Sequence, residues 1–546
     1  MTTPYEDGDP NSKLLILGQA PSYAEVRLKK PLVGPSGQVL KECMNTAGIV
    51  RNDCYILNIW EEPVHTDPSG IIREYKGGPI LWGTGKNGGI TQRGRELAQS
   101  TLERIRNSGA NCILALGQQS LELCTGISSK IMKWRGSILQ GLESVGSKKV
   151  VATVHPAATI HGVYLWRYLI INDMRRAAEE RQNKFLDLPK RTIHIRPSLA
   201  QVLSYIRHCK EAGQFATDLE VVNHQISCFS LATSPDEALV VPFTCEGGDY
   251  WSESDEMLIW RAYSELMHDE AVTKINQNLI GFDIVFLMNR MKIHARGPML
   301  DTMIGWSVLY PEFNKGLDLI SSILTREPYW KDEGKMWKDE GGDFPQFWNY
   351  NGKDSAVAYE DWIAIAKELD ENDMWETYWK HARLAQPILF MSMYGVQIDK
   401  EALEKTKVEI KERLGELESK LREVADYEFN PGSTQQCAKY FYDHKGLKPY
   451  KNKTGGITTD DKAMSRIYRR TNWPEAKLVQ EIRGLRKLEG TYLEVAYDAD
   501  GRLRCSWNPR GTKFGRLSSG QTILGTGMNM QNIDPRFKGF IVADRD

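Results

Sequence analysis

Four acidic residues and one tyrosine occur in a fixed order within about one domain's length of this 546-residue chain. They are Asp218, Glu220, Asp283, Tyr350 and Asp354. Hard divalent cations such as Mg²⁺ prefer oxygen ligands. Two such ions about 3.5–4 Å apart can stabilise both the attacking and the leaving oxygen of a phosphodiester. The set therefore predicts a site for two divalent metal ions, Mg²⁺ or Mn²⁺, that supports phosphodiester hydrolysis.

The elements that carry these residues determine whether they can meet. Asp218 and Glu220 are two residues apart, so on a strand both side chains point to the same face. Asp283 begins a predicted helix over 284–291, where capping the helix is its alternative role. Tyr350 and Asp354 are four residues apart and share one face of a helix. Tyr350 would then orient the attacking water while Asp354 completes the metal site. Each short motif by itself is common in unrelated proteins. Only the joint order and spacing of the motifs favours a catalytic site.

This order of motifs resembles the 3′–5′ exonuclease domain of family A DNA polymerases, of the type with a tyrosine in its last motif. The resemblance implies that the four carboxylates bind metal ions and that Tyr350 positions water. One departure is a Trp- and Gly-rich segment over 331–348. Contact with DNA is one interpretation of this segment, and a mobile surface loop is the one we expect.

Residues before the acidic set contain short apolar runs that alternate with helical patterns, which predicts a parallel α/β sheet. The runs cover 14–17, 55–58, 112–116 and 150–154. Three polar residues, Gln19, Asn58 and His155, come at or just after the ends of predicted strands, where α/β folds bind ligands. Eight glycines within 70–94 predict a long surface loop.

The same polar residues, with Leu32 in the segment 31–37, resemble the uracil-DNA glycosylases. The resemblance implies that Asn58 reads the uracil edge and that His155 stabilises the leaving base. Gln19 stands where the family has an acid, and a glutamine cannot act as a general base. Leu32 replaces the family's stacking phenylalanine, and the iron–sulfur cysteines of much of the related branch are missing, so no iron–sulfur cluster is expected. Uracil excision, a non-catalytic uracil- or DNA-binding role, and a purely structural role all stay open.

A local basic region lies in the last third of the chain. Residues 466–520 hold twelve Lys and Arg against six Asp and Glu, a net charge of +6, whereas the whole chain has a net charge of −1. Such a face suits DNA phosphates. Segments 510–519 and 529–533 resemble the thumb–palm junction of family A polymerases. The resemblance implies DNA contacts from Lys487, Arg510, Arg516, Ser518, Ser519, Gln531, Asn532 and Arg536.

We expect a multidomain α/β chain with domains at 1–185, 192–380 and 381–546. By resemblance these are an α/β/α glycosylase-like sandwich, a ribonuclease H-like exonuclease domain, and a mainly α thumb with the beginning of a palm. The apolar stripe of a predicted helix over 400–424 indicates a packed helical seam. No segment corresponds to the family's catalytic palm carboxylates, so polymerase activity is not expected from this chain alone.

The whole arrangement resembles the N-terminal portion of a bacteriophage-type family A DNA polymerase. Its expected partners are primer-template DNA and single-stranded 3′ ends, with a separate C-terminal polymerase polypeptide as a further candidate. Two other functions stay open: a DNA-repair enzyme led by uracil excision, and a DNA-binding assembly module that needs that separate polypeptide.

Composition limits where the chain works. No apolar run approaches the roughly 18 residues of a membrane span, and residues 1–13 lack the apolar core of a signal peptide. Nine cysteines include no Cys-x-x-Cys pair, which favours free thiols and no cysteine zinc site. We therefore expect no membrane contact and a cytoplasmic location, which is the host cytoplasm if a phage encodes the chain.

Overall fold

The computed structural model describes residue 3 and residues 5–85, 88–334, 342–452 and 455–544. It contains two compact units. The first comprises Met1–Leu279 with Ile293–Ala382, and the second comprises Ile280–Lys292 with Arg383–Asp546. Within the described part of the chain, no helix is both long and apolar enough to cross a membrane. Each large sheet belongs to the first unit; we call 5–185 the first-sheet region, and 192–279 with 293–382 the second-sheet region.

The first sheet has four central parallel strands with an antiparallel strand at each edge. Every residue of the four central strands is buried, as expected where helices cover both faces of a parallel sheet. The predicted parallel α/β sheet is therefore confirmed. In spatial order the strands are Glu6–Asp7, Cys54–Asn58, Leu14–Gly18, Cys112–Leu116, Lys149–Thr153 and Ile138–Gln140. The helices of this region are Tyr23–Leu28, Pro35–Thr46, Gln92–Leu97, Gln99–Asn107, Gln118–Thr125, Ile131–Trp134, Ala157–His161 and Trp166–Glu180.

The glycine-rich stretch is not a long loop, and that prediction was wrong. Four short antiparallel strands form a small sheet from His65–Thr66, Ile72–Arg73, Ile80–Gly83 and Gly89–Ile90. Ile72, Leu81 and Ile90 are buried and supply an apolar core. Gly89 has a φ of +134°, and a Cβ there would lie 2.4 Å from Oε1 of Glu122. This glycine therefore permits a turn and a close approach rather than marking disorder.

The second sheet is mixed. Three consecutive strands form an antiparallel meander, and further strands add in parallel on both sides. Their spatial order is Thr192–His194, Glu237–Pro242, Gln225–Ala232, Gln214–Val222, Thr273–Asn276 and Met299–Asp301. The 28-residue helix Phe344–Glu371 packs across the meander. The other helices here are Leu199–Ala212, Glu253–His268, Thr302–Leu309, Leu317–Leu324 and Trp375–Ala382, and a small ribbon pairs Thr244–Cys245 with Gly248–Asp249.

Two buried arginines join the two regions of the first unit. Arg135 forms a fully buried ion pair with Asp173, and its guanidinium also donates to Oγ of Ser322 at 2.7 Å. Arg176 donates to the carbonyl oxygens of Ser322 at 2.9 Å and Thr325 at 2.6 Å. These carbonyls lie at the end of the helix Leu317–Leu324, where backbone acceptors lack partners within the helix. The arginines therefore satisfy that helix end from the first-sheet region.

The second unit is mainly helical. The helix Lys400–Val424 buries Leu403, Ile410, Leu414, Leu417 and Leu421, which confirms the predicted helix and its packed seam, except that Val424 at the end of the predicted stripe is exposed. Its other helices are Asp283–Phe286, Ala385–Tyr394, Thr434–Ala438, Asp461–Thr471, Pro474–Leu488 and Pro535–Lys538, with π-helical turns at Leu287–Met291, Lys439–His444 and Glu489–Leu493. Two ribbons pair Gln397–Ile398 with Ile541–Val542, and Ser506–Asn508 with Ser518–Gly520.

Asp173→Ala should destabilise the first unit strongly, because it leaves the buried guanidinium of Arg135 without its counter-ion. Loss of one partner of a buried pair costs about 3–5 kcal/mol, measured as the free energy of urea-induced unfolding. The matched control is Glu265→Ala, which removes an exposed pair with Arg261 and should change stability by at most ~1 kcal/mol. Equal effects of the two substitutions would contradict the structural role given to Asp173.

Candidate metal and nucleic-acid sites

Three of the predicted carboxylates meet at one corner of the second sheet. Asp218 and Glu220 come from the strand Gln214–Val222, and Asp354 comes from the helix Phe344–Glu371. Carboxylate oxygens of the three lie within 4.8 Å of one another. Gly352 permits this approach, because a Cβ there would lie 2.4 Å from the side chain of Ile193. The strand and helix placements predicted from residue spacing are thus confirmed.

Two amides, which the sequence reasoning missed, hold the carboxylate of Asp218. Nδ2 of Asn351 donates to Oδ2 of Asp218 at 2.9 Å, and Nδ2 of Asn276 donates to Oδ1 at 3.3 Å. Asn351 directly follows Tyr350, and this position within the motif could have indicated that it lies near the acidic cluster. Asn276 ends the strand Thr273–Asn276 beside the acidic strand, and only the sheet order identifies it.

Asp354 is held by two neighbouring donors. Nε1 of Trp330 donates to Oδ1 of Asp354 at 2.6 Å, and Nζ of Lys331 contacts Oδ2 at 2.5 Å. Nζ of Lys331 also lies 3.4 Å from the hydroxyl of Tyr350. The expectation of a mobile surface loop over 331–348 is therefore wrong where the structure describes it, since Lys331 reaches the acidic cluster and 344–348 begin a helix. Residues 335–341 of that segment lie outside the described residues.

Burial and charge fix the protonation of two groups beside the cluster. Burial, followed by the charges of Asp354, Glu220 and Asp218, raises the pKa of the Tyr350 hydroxyl far above its ordinary value. Burial opposes the charge of Lys331, but the same carboxylates outweigh it and raise the pKa of its ammonium. At neutral pH, Tyr350 therefore keeps its proton and Lys331 its charge. Tyr350 can donate a hydrogen bond to a water, and it is no general base.

Asp283 begins the helix Asp283–Phe286 and is buried, so its predicted helical position is confirmed. Its segment, Ile280–Lys292, belongs to the second compact unit. Among the described residues, the carboxylate group that can hold a metal comprises Asp218, Glu220 and Asp354. A fourth metal ligand at Asp283 remains a prediction.

The donor set fits Mg²⁺ or Mn²⁺. Three carboxylates supply hard oxygen ligands with negative charge, and among the described residues this group contains no thiol or imidazole that would favour a softer metal. Asp218 is half-buried while Glu220 and Asp354 are buried, so one side of the group faces solvent. Asp218, Glu220 and Asp354 are therefore the residues that would hold the ion.

Loop residues at one edge of the first sheet surround a buried amide. Asn58 is 0% exposed, and neither its Oδ1 nor its Nδ2 has a hydrogen-bond partner among the described residues. A Cβ on Gly18 would lie 2.4 Å from Oδ1 of Asn58 and 3.3 Å from Leu32, so Asn58 and Leu32 converge there. Leu32 adopts a left-handed backbone with a φ of 50°. A buried polar atom without a partner costs about 1–3 kcal/mol, so this amide is suited to a ligand.

Gln19 and His155 belong to the same edge. Gln19 is half-buried, and its carbonyl oxygen accepts from the backbone of Trp60 at 3.1 Å. Nδ1 of His155 accepts from the backbone of Ala157 at 3.2 Å. Burial lowers the pKa of His155 to about 4, although the charge of Glu25 opposes the shift. His155 is thus neutral at pH 7 with its proton on Nε2, and it can donate one hydrogen bond.

Glu25 is a buried acid that the sequence reasoning passed over. It is 4% exposed, and its Oε1 accepts from the backbones of Val33 at 2.9 Å and Gly34 at 3.3 Å. Its Oε2 accepts from the backbone of Ser22 at 2.6 Å. Glu25 therefore fixes the loop that carries Leu32. The sequence feature that could have identified Glu25 is a capping box, in which Ser22 is followed three residues later by Glu25.

Most of the predicted DNA contacts lie on a ribbon and the turns beside it in the second unit. Ser518 and Ser519 belong to the strand Ser518–Gly520. Oγ of Ser519 accepts from the backbone of Gln531 at 3.3 Å, and Nε2 of Gln531 donates to the carbonyl of Leu517 at 2.8 Å. The ribbon and the turn Met530–Asn532 are thus tied together.

The remaining predicted contacts fall into two groups. Lys487, Arg516, Asn532 and Arg536 are exposed. Arg536 is paired with Asp534 at 2.9 Å, and the carbonyl of Asn532 accepts from the hydroxyl of Tyr492 at 2.6 Å. Arg510 differs because it is 5% exposed. A direct contact of Arg510 with DNA therefore requires its side chain to move, whereas the exposed side chains are accessible as they stand.

Comparison with known proteins identifies two relationships. Residues 400–541 match DNA polymerase family A. Residues 5–166 match the uracil DNA glycosylase superfamily. These segments coincide with the second unit's main body and with the first-sheet region. Family A DNA polymerases and uracil DNA glycosylases are thus the relatives of those two segments, as the motifs predicted.

Individual relatives match shorter parts. The thermostable DNA polymerase I of Thermus filiformis is 30% identical over 174 residues, covering 31% of this chain and 20% of that protein. The DNA polymerase of Escherichia phage T5 is 34% identical over 167 residues, covering 27% and 19%. DNA polymerase I of Synechocystis sp. is 27% identical over 324 residues, covering 55% and 31%. The chain therefore spans between about a fifth and a third of the length of these relatives.

A solved structure also matches in part. The POL domain of Pol1 from M. smegmatis, in complex with DNA primer-template and dNTP, has a TM-score of 0.48 and 17% sequence identity. The match covers 63% of this chain and 56% of that chain.

The acidic cluster should bind Mn²⁺, since three carboxylates converge on one accessible corner. Replacing Asp218 with Asn and Glu220 with Gln should weaken binding by at least about tenfold, the order expected when ligands lose their charge. Electron paramagnetic resonance of free Mn²⁺ measures the affinity directly. Glu265→Gln on an exposed helix face is the control, and equal affinities of the double variant and the control would contradict a metal site here.

Proposed function

We propose that the chain is a metal-dependent 3′–5′ exonuclease that acts on DNA and forms part of a replicative family A DNA polymerase system. The observation that carries this proposal is the convergence of Asp218, Glu220 and Asp354 within 4.8 Å, with Tyr350 one helical turn from Asp354. Carboxylates at this spacing repel one another, and a bound cation offsets that repulsion. The mixed sheet on which they lie supports the ribonuclease H-like fold expected for this region.

Each side chain has a distinct task in the proposed reaction. Divalent ions, when bound, supply charge stabilisation for the attacking and leaving oxygens. Asp218, Glu220 and Asp354 would hold the ions, and Asn351 and Asn276 fix the orientation of Asp218. Asp283 is the proposed fourth ligand. Tyr350 keeps its proton and donates a hydrogen bond that orients the attacking water, whose own proton leaves to solvent.

The match of residues 400–541 to DNA polymerase family A supports DNA as the substrate. Its ribbon and turns present Arg516, Gln531, Asn532 and other polar side chains, with Lys487 and Arg536 nearby, as contacts for phosphates and minor-groove acceptors. Relatives of parts of this chain are named DNA polymerase I, thermostable, and DNA polymerase. We propose that the chain works with a separate polypeptide that supplies the palm carboxylates, in the cytoplasm of a phage's host.

A second function, recognition of a uracil-like base, is favoured by the unpaired amide of Asn58. A side-chain amide offers an NH₂ donor group and a carbonyl acceptor side by side, which match the edge of uracil. His155 adds a neutral donor at the same edge of the sheet. Gln19 carries no charge, so this edge of the sheet binds a flipped base without the acid that would assist excision.

For the exonuclease, Asp218→Ala with Glu220→Ala should lower digestion of a 5′-labelled single-stranded oligonucleotide in Mg²⁺ by roughly 10²–10³-fold or more, because the metal ligands are lost. Tyr350→Phe should lower the rate by about 10²-fold by removing the donor that orients water. Glu253→Ala with Asp255→Ala, two acids on the helix Glu253–His268, serves as the matched control. Digestion by the first double variant at the control's rate would refute the site.

For base recognition, the chain in EDTA should bind a single-stranded oligonucleotide with one uracil more tightly than its cytosine counterpart, by about tenfold, because cytosine reverses the donor and acceptor that the amide of Asn58 would pair with. Asn58→Leu should abolish the preference, because it removes both polar atoms while nearly conserving volume. Fluorescence anisotropy measures both affinities, and alkali treatment reports excision as breakage at the uracil. Equal affinities of the wild-type chain for the two oligonucleotides would rule out a uracil pocket.

A further inference from the structure

Both oxygens of Asp354 are taken by consecutive residues of one segment. Trp330 donates its indole N–H to Oδ1 at 2.6 Å, and Lys331 places its ammonium 2.5 Å from Oδ2. Trp330 is 3% exposed, and the Lys331 side chain is 23% exposed. The two bonds differ in kind, because an indole N–H is a neutral donor whereas an ammonium carries the charge that a metal ion would bring.

The ammonium of Lys331 lies between aromatic rings. Its Nζ is 5.3 Å from the ring centroid of Trp330 and 5.2 Å from that of Tyr350, which are distances for cation–π attraction. The same Nζ is 3.4 Å from the hydroxyl of Tyr350. Lys331 thus engages a proposed metal ligand and the proposed water-orienting residue at once.

Residues on either side of this pair are fastened to the first-sheet region. The backbone N–H of Tyr329 donates to Oγ of Ser137 at 3.1 Å, and its ring meets that of Trp134 edge-on at 5.3 Å. Asp332 pairs with Lys133 at 2.6 Å. The segment therefore carries contacts from the first-sheet region directly to the acidic cluster of the second-sheet region.

We propose that Lys331 sets the metal affinity of the acidic cluster by competing with the metal ion for Oδ2 of Asp354. Trp330 is a positioning residue for Asp354. Lys133 of the first-sheet region restrains Lys331 at the cluster through its ion pair with Asp332. The inference rests on the proposed metal site. A metal ion on Oδ2 is compatible with the bond from Trp330 to Oδ1, since a ligating carboxylate is commonly held by an outer donor.

Mn²⁺ affinity of the full chain, measured by electron paramagnetic resonance, tests the competition without using nuclease activity. Lys331→Met keeps the length of the side chain and removes its charge, so Mn²⁺ should bind at least about tenfold more tightly than to the wild-type chain. Lys331→Arg retains the charge and should stay within about threefold of wild type. Trp330→Phe keeps the ring and loses the donor, so affinity should fall by about 10-fold or more.

A double-mutant cycle tests the link to the first-sheet region. Lys133→Met removes the ion pair with Asp332, so Lys331 should leave more readily and Mn²⁺ affinity should rise by about two- to fivefold, the scale of a partly exposed pair. In the Lys331→Met background the same change should have no effect, because the competing ammonium is already absent. If Lys133→Met changed the Mn²⁺ affinity only by disturbing the structure, the change would be equal in the wild-type and the Lys331→Met backgrounds.

The outcomes separate this inference from the proposed function. Unchanged or weaker Mn²⁺ binding in a folded Lys331→Met chain would overturn the competition, even if the wild-type chain digests DNA. If Lys331→Met does not fold, the test is Lys331→Arg. Mn²⁺ binding to Lys331→Arg more than about threefold tighter than to the wild-type chain would show that the positive charge at this position does not set the Mn²⁺ affinity. Tighter binding by Lys331→Met in a chain without nuclease activity would uphold the inference and leave the proposed function as the part that fails.

Discussion

Repulsion between like charges is the constraint that organises the second-sheet region. Asp218, Glu220 and Asp354 bring carboxylate oxygens within 4.8 Å of one another at a corner where Glu220 and Asp354 are buried and Asp218 is half-buried. At such spacing in a medium of low dielectric, repulsion is large, and the group is stable only with a compensating cation. Lys331 supplies one positive charge. The neutral donors Asn351, Asn276 and Trp330 orient the carboxylate oxygens without cancelling the negative charge that attracts a metal ion.

The surrounding fold serves this arrangement. The meander sets Asp218 and Glu220 on one face, and the long helix Phe344–Glu371 crosses that face closely because Gly352 has no side chain to hold it away. Arg135 and Arg176 connect this region to the first sheet through buried hydrogen bonds. A region related to uracil DNA glycosylases and a region with an acidic cluster therefore share one compact unit. Their physical connection reaches the acidic cluster itself through Trp330 and Lys331.

The first-sheet region carries uncharged polar groups at one edge of its sheet. Asn58 remains buried with both polar atoms unpaired among the described residues, and His155 remains a neutral donor. Gln19 carries no charge, and the buried carboxylate of Glu25 is fully engaged in holding backbone amides. An edge with these polar groups and no charged one supports the proposed recognition of a base rather than its excision.

The sequence by itself determined the elements and the identity of most polar groups. Spacing of two and four residues placed Asp218 with Glu220 on a strand and Tyr350 with Asp354 on a helix, because side-chain direction in regular structure follows from local geometry. Buried strands and the stripe of Lys400–Val424 were likewise predictable from apolar periodicity. Only the tertiary structure decided which distant groups meet. Asn276, Trp330 and Lys331 reach the acidic cluster through strand order and packing, and the glycine-rich stretch folds into a small sheet because buried Ile72, Leu81 and Ile90 give it a core. These outcomes depend on contacts between residues far apart in the chain, which no local pattern encodes.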